Sequence, residues 1–182
     1  MMRDAILSAA RITLGGYLAA HGAQKLFGVF GGHGIEGTAG FFESVGLEPG
    51  RPHAIAAGVA ETLGGTLTAL GLAGPVGPIT IASTMGVAAG TVHRDQGPFN
   101  TDGGPELPIM NAAASALVAV AGPGRLSLDR ALGLRVPPKL VALVAAGAAI
   151  TSAALVTRAR RATLAGDHEN DDDIASNRHA AA

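Results

Sequence analysis

Three ionisable side chains lie in sequence that is otherwise apolar, and their spacing permits acid–base chemistry. His21, Gln24 and Lys25 follow an i, i+3, i+4 spacing, so a helix presents them on one face. Glu61 is the one charged residue in the apolar stretch His53–Ala73. A charge in the hydrocarbon core of a bilayer costs roughly 2.5–3.5 kcal/mol, so such groups usually face a bundle interior and pair with one another. The pattern predicts a cluster of Glu61 with His21 and Lys25, in which Glu61 and His21 move protons.

Each of these residues also has a purely structural interpretation. Lys25 lies close enough to the end of its segment to extend its ammonium group to the membrane surface. His21 can be a hydrogen-bonded histidine between helices, and a lone carboxylate such as Glu61 is either protonated or paired. His93 and Arg94 end another apolar segment, where they line the mouth of a pocket or only mark the membrane interface. No zinc-ligand spacing is present, and a bis-histidine haem site would require His93 to turn inward and join His21.

The composition indicates that membrane-spanning helices hold these side chains. Of the 182 residues, 48 % are apolar and 15 % are charged, against about a quarter charged in an average soluble domain. Mean hydropathy is +0.34, whereas a soluble domain of this size needs a polar surface. The net charge of −1 argues against a nucleic-acid partner, and the absence of cysteine excludes a thiol–disulfide centre within the chain. The expected surroundings are a lipid bilayer.

Five segments are apolar enough to cross a bilayer as helices, which takes about 20 residues each. These segments are Ala5–Phe27, His53–Ala73, Val76–His93, Leu107–Ala121 and Leu140–Val156. We predict an all-α polytopic membrane protein with a four-transmembrane-helix bundle over residues 1–136 and a fifth transmembrane helix within 137–157. A disordered polar tail is expected over residues 158–182. Because further apolar segments follow the first one, we interpret it as a permanent helix rather than a signal peptide.

The polar residues of the predicted bundle collect at one face of the membrane. We call the face that holds residue 1 side A and the opposite face side B. Both long loops, residues 28–52 and 94–105, then lie on side B, and Thr38–Leu47 is expected to form a short interfacial helix there. With a rise of 1.5 Å per residue, His21 lies about 9 Å and Glu61 about 12 Å inside the side-B ends of their helices. Side B is therefore the expected working surface.

Several segments resemble motifs of the DoxX family of small integral membrane proteins. They are RITLGGYLAAHGAQKLFG (11–28), GTAGFFESVGL (37–47), AAGVAETLGGTLTALGL (56–72), GGPELP (103–108) and GPGRLSLDRALG (122–133). The resemblance implies a four-helix membrane bundle with both ends of the core in the cytoplasm. The residues at the family's motif positions are His21, Gln24, Lys25, Phe27, Gly28, Glu61, Gly64, Gly65 and Glu106.

The resemblance also implies a function in membrane redox chemistry. DoxX-like proteins are associated with quinone-linked oxidation of sulfur compounds and with bacterial membrane complexes that counter oxidative and thiol stress. We therefore expect a small subunit of a quinone-linked redox system, with quinone as its cofactor and a redox enzyme as its protein partner. In this interpretation the chain is an accessory subunit rather than an independent catalyst. The residues expected to line the quinone or substrate pocket beside Glu61 and His21 are Gln24, Lys25, Phe27, His93 and Glu106.

A second interpretation belongs to another class of protein. The chain could be a non-catalytic membrane anchor or assembly scaffold that holds soluble redox enzymes through its side-B loops. In that case Glu61 and His21 are hydrogen-bond partners between helices, and their loss lowers folding yield rather than activity. Formation of a homo-oligomer is left open by both interpretations.

The distribution of basic residues predicts the orientation in the membrane. The four-helix core has three basic residues on side B, Lys25, Arg51 and Arg94. It has six on side A, namely Arg3, Arg11, Arg125, Arg130, Arg135 and Lys139. The positive-inside rule therefore places side A and the N-terminus in the cytoplasm of a bacterial inner membrane. A spanning fifth helix would add three arginines to side B and make the two counts equal.

Overall fold

Helices account for most of the chain in the computed structural model, which describes residues 1–93 and 96–180, with side chains described as far as residue 165. They are α1 (Met2–Phe27), α2 (Gly34–Ser44), α3 (Gly50–Leu70), α4 (Val76–Thr91), α5 (Glu106–Ala121), α6 (Leu128–Leu132) and α7 (Pro138–Ala180). Short 3-10 helices cover Val29–Gly31 and Asn100–Asp102. Helices α1, α3, α4 and α5 correspond to the four predicted core segments, and α2 corresponds to the short helix expected on side B. No strand is present in this part of the chain.

The antiparallel pair α1 and α3 packs with its backbones almost in contact. A Cβ atom added at Gly15 would overlap backbone atoms of Gly65, and one added at Gly22 would overlap backbone atoms near Gly58. Only glycine permits this approach, and in a membrane such packing replaces hydrophobic burial as the force that associates helices. The close approach fixes the side-B half of α1 against the side-B half of α3.

The remaining two helices of the bundle close it around a small apolar core. Leu18 of α1 packs with Ile81 and Met85 of α4, and Ala112 of α5 covers the same cluster. Isoleucine 81 is fully buried. The four helices therefore form the bundle that the apolar pattern predicts.

Hydropathy along the helices is uneven. Among the described residues, Pro138–Ala165 is the helical stretch with the length and hydropathy of a membrane span, and Glu106–Ala121 is a shorter apolar helix. Helices α1 and α3 contain Arg11, Lys25 and Glu61, which lower their mean hydropathy. These polar residues are buried or partly buried in the structure. The number of membrane spans stays a prediction.

Helix α7 is longer than the sequence pattern indicates. The expected polar tail begins at Arg158, but the backbone remains helical to Ala180, and residues 181–182 lie outside the described residues. The structure therefore gives residues 158–180 as a continuation of α7, and the disorder of this tail stays an untested prediction. Alanine, arginine and leucine favour helix, and no proline interrupts the segment.

Helix α7 runs beside α4 from one end of the bundle to the other. Just before it, Val136 lies against Gly74 in the side-A turn. Halfway along, the Ser152 hydroxyl lies 2.7 Å from the Ser83 hydroxyl of α4. At side B, Ala159 is buried in a cluster with Phe42 of α2. The helix thus covers the length of a membrane span outside the four-helix core.

A buried arginine ties the side-A ends of the helices together. Arg11 is 2 % exposed and donates hydrogen bonds to the Leu126 carbonyl (2.6 Å) and to a carbonyl near the end of α3 (3.4 Å). Asp129 accepts hydrogen bonds from the backbone N–H groups of Ala73 (2.9 Å) and Gly74 (2.6 Å) in the turn between α3 and α4. The sequence pattern counted Arg11 only as a side-A charge, whereas the structure places it in the interior.

Candidate functional site

A cavity of about 520 Å³ lies in the side-B half of the molecule, within the range of roughly 300–1,000 Å³ typical of ligand pockets. Its walls come from α1, α2, α3, α4 and α7 and from the glycine-rich loop after α1. Lining residues extend from His53 to Glu61 and from Ser83 to His93, which is about 12 and 15 Å along the helix axes. Most of the wall is apolar, with a few polar side chains converging on it.

The ion pair between Lys25 and Glu61 is the central polar contact of the cavity. The Lys25 Nζ atom lies 2.5 Å from Glu61 Oε1, with the two side chains 18 % and 1 % exposed. The glycine contacts between α1 and α3 bring the two residues together, and Lys25 is one of the two residues predicted to cluster with Glu61. The other carboxylate oxygen, Oε2, is buried and has no hydrogen-bond partner among the described residues. Buried polar atoms normally have a hydrogen-bond partner, so an unpartnered carboxylate oxygen inside the molecule is unusual.

His21 and Gln24 form a second polar group on the cavity wall. His21 Nδ1 lies 3.0 Å from Gln24 Oε1, and Gln24 Nε2 donates to the Phe30 carbonyl at 3.0 Å. Because an amide oxygen only accepts, Nδ1 carries the proton and Nε2 of a neutral ring is left as an acceptor. The expected hydrogen bond between His21 and Glu61 is not present among the described residues. The two groups line the same cavity without touching.

His93 lies at the end of the cavity nearest side B. Its Nδ1 atom lies 2.5 Å from the Gly103 carbonyl, so the loop before α5 orients the ring. The ring lines the cavity, as the interpretation of His93 as a mouth residue requires. Arg94, its predicted neighbour at the interface, lies outside the described residues.

Two residues that the sequence assigned to the pocket lie elsewhere. Phe27 is 70 % exposed and does not line the cavity, because two residues beyond Lys25 the helix presents a different face. Glu106 is also exposed, and its Oε2 atom accepts a hydrogen bond from the Asn100 backbone N–H at 3.0 Å. It stabilises the loop before α5 instead of contacting the cavity.

Two histidines that were not predicted as site residues also line the cavity. His53 lies eight residues before Glu61, about two helical turns, so the i, i+4, i+8 spacing could have placed it on the same face. His33 lies in the loop between α1 and α2, where no periodic pattern indicates its position. Among the described residues, no group of three histidine or carboxylate side chains is arranged to hold a metal ion.

Comparison with known proteins finds one family. Residues 6–94 match the family model described as DoxX, a stretch that includes α1 from its fifth residue onward, the whole of α2, α3 and α4, and the residues Lys25 and Glu61. The motifs GGPELP and GPGRLSLDRALG and the whole of α7 lie beyond the matched residues. No curated protein and no solved structure matches the chain.

Proposed function

Since the chain belongs to the DoxX family of membrane proteins, a family associated with quinone-linked redox systems, we propose that it is a small inner-membrane subunit of such a system. The observation that supports this proposal is the buried Glu61 carboxylate, which is paired with Lys25, has one oxygen without a hydrogen-bond partner among the described residues and belongs to a residue that lines the cavity. A buried charge pair at this depth is costly, so its presence between two helices favours a functional role.

The residues around the cavity fit a quinone headgroup. A quinone accepts two electrons and two protons when it is reduced. The carbonyl oxygens of such a headgroup need hydrogen-bond donors, and the Lys25 ammonium group can supply one. The N–H groups of His21 and His93 already have acceptors, so the Nε2 atoms of these rings can accept hydrogen bonds from the hydroxyl groups of the reduced headgroup. Alanine, valine and leucine side chains on α3, α4 and α7 provide an apolar surface for the ring.

Glu61 and His21 would act as the proton-carrying groups. Glu61 would carry a proton on Oε2, with Lys25 holding the opposite carboxylate oxygen in place. Because Oε2 is buried, a small movement of the side chain would be needed to bring it to the cavity. His21 would exchange protons through Nε2, its ring oriented by Gln24. Because the chain contains no cysteine, it has no thiol that could supply electrons. A partner redox enzyme would therefore be the electron donor.

The test combines a ligand search with a matched pair of variants. The protein is extracted from its own membrane in mild detergent and examined by native mass spectrometry, where a stoichiometric quinone mass is expected. Glu61→Gln should abolish quinone-linked activity in membranes while the protein remains inserted, because glutamine cannot carry the proton. Glu48→Gln, at an exposed site outside the cavity, is the control and should leave activity unchanged. Full activity of the folded Glu61→Gln variant would refute the proposal.

A scaffold for soluble redox enzymes is the second candidate, and one observation favours it. Phe30 and Phe99 are 76 % and 61 % exposed in the side-B loops, and exposed aromatic residues are frequent at protein interfaces. If the chain is a scaffold, Phe30→Ser together with Phe99→Ser should release a co-purifying enzyme, and Glu61→Gln should not. Loss of the partner from Glu61→Gln alone would contradict the scaffold.

A further inference from the structure

The C-terminal helix α7 contributes part of the cavity wall, although it lies outside the residues that match the family. Thr151 and Leu155 line the cavity beside residues of α3 and α4. Leu155 also packs against the buried cluster that joins Phe42 of α2 to Ala54 of α3. The helix therefore bridges α4 and α2 across one side of the cavity.

Polar contacts fix the position of α7 against α4 at the inner end of the cavity. The Ser152 hydroxyl donates to the Ser83 carbonyl at 3.2 Å, and the Ser83 hydroxyl lies 3.2 Å from the Ala148 carbonyl. Ser83 itself lines the cavity. Nearer to side B, Val156 occupies the space left by Gly90, where an added Cβ atom would lie 2.8 Å from a Val156 methyl group. Side chains on both α4 and α7 thus determine where α7 lies as part of the cavity wall.

The spacing of these contacts shows that one face of α7 serves this purpose. Ala148, Ser152, Leu155 and Ala159 follow an i, i+4, i+7, i+11 pattern, which defines one helical stripe. Leu143 and Ile150 lie off this stripe and are 70 % and 69 % exposed. The exposed face is apolar, as contact with lipid requires.

We propose that Thr151 and Leu155 are specificity-determining residues of the cavity, because α7 closes its membrane-facing side and sets the width available to a ligand. The family-matched segment then supplies the polar groups, and α7 supplies the wall that limits what can reach them. The inference rests on the cavity of the proposed function, but its test uses neither a quinone nor redox activity. A failure of this inference can therefore be distinguished from a failure of the proposed quinone-linked function.

Single cysteines test this placement directly, since the natural chain has none. Thr151→Cys and Ile150→Cys are compared in intact membrane vesicles with a charged, membrane-impermeant maleimide applied to each side in turn. Thr151→Cys should react about tenfold or more faster than Ile150→Cys, because the thiolate is the nucleophile and a lipid-facing thiol does not ionise. The two positions are adjacent, so the comparison depends only on a rotation of about 100° around the helix.

A second pair of variants measures the width of the cavity. Ala60→Cys, on the α3 wall, reports access to the cavity by its labelling rate. Adding Leu155→Trp should slow that labelling severalfold, whereas Leu143→Trp on the lipid-facing side should leave it unchanged. Equal labelling of Thr151→Cys and Ile150→Cys would overturn the proposal. Equal effects of the two tryptophans on Ala60→Cys would overturn it as well.

Discussion

Removing Lys25 while keeping Glu61 tests whether the two charges form one energetic unit. At 2.5 Å the attraction between unit charges is about 7 kcal/mol at an effective dielectric constant of about 20. Desolvation of both groups offsets much of this attraction, so the net value of the intact pair is small. Lys25→Met, however, leaves a carboxylate that is 1 % exposed without its partner. Breaking a buried pair costs about 3–5 kcal/mol. Because the Lys25 side chain is 18 % exposed, we expect the lower end of that range.

The assay is a double-mutant cycle on the free energy of unfolding. Lys25→Met, Glu61→Gln and the double variant are unfolded in mixed micelles by increasing fractions of sodium dodecyl sulfate, with helicity followed by circular dichroism. The free energy of unfolding of the double variant should lie within about 1 kcal/mol of that of the natural protein. The coupling energy between the two residues would then be at least about 2 kcal/mol. Lys139→Met, which removes an exposed ammonium group, is the control and should change stability little. Additivity of the two single variants within about 0.5 kcal/mol would refute the reasoning.

Three further predictions concern packing and hydrogen bonding away from the charge pair. Gly15→Ala should destabilise the protein by more than about 2 kcal/mol, because its Cβ would overlap the α3 backbone, whereas Gly16→Ala meets nothing within 4 Å and should be neutral or stabilising in the same unfolding assay. Asp129→Ala should cost about 2–4 kcal/mol, since two backbone N–H groups lose their charged acceptor; thermal unfolding unchanged from the natural protein would contradict this. Ser83→Ala and Ser152→Ala should each cost only about 0.6 kcal/mol, the usual value for a hydrogen bond between membrane helices, and a double variant much less stable than their sum would show that the estimate is wrong.

The helices could be predicted from the sequence because long apolar segments separated by glycine and proline leave few alternatives. A contact of Lys25 with Glu61 could be predicted as well, since the cost of a buried charge favours it. Similar depth favours His21 as a partner of Glu61, but His21 forms no hydrogen bond with Glu61 among the described residues. Arg11 shows where this reasoning ended. Arg11 lies close to the side-A end of its helix, where a charged residue usually faces the membrane surface. Only the path of the loop at Leu126 shows that carbonyl groups surround its side chain.

The other errors have similar causes. Phe27 and Glu106 occupy motif positions of the family, and a motif position alone does not indicate which way a side chain points. The wall formed by α7 depends on how this helix packs against α4. Helix α7 has no periodic polar residues that would fix which face packs, and small residues such as Gly90 permit several positions of one helix against the other. His33 reaches the cavity through a loop whose course is set by glycines with positive φ angles, which local sequence does not specify.

The hydrogen-bond cluster of Arg11 and Asp129 makes the two ends of the bundle mechanically unequal. On side A, α1, the end of α3, the α3–α4 turn and the loop after α5 are cross-linked through these two side chains. On side B, α1 and α3 stay packed through their glycines, and a cavity lies between this pair and α2, α4 and α7. Thermal motion should therefore be larger in the elements around the cavity than in the cross-linked base, and amide hydrogen exchange along α4 measures this gradient. Because the cross-linked base lies at the end of the bundle opposite the cavity, a ligand of the cavity is expected to enter and leave through the side-B half of the molecule.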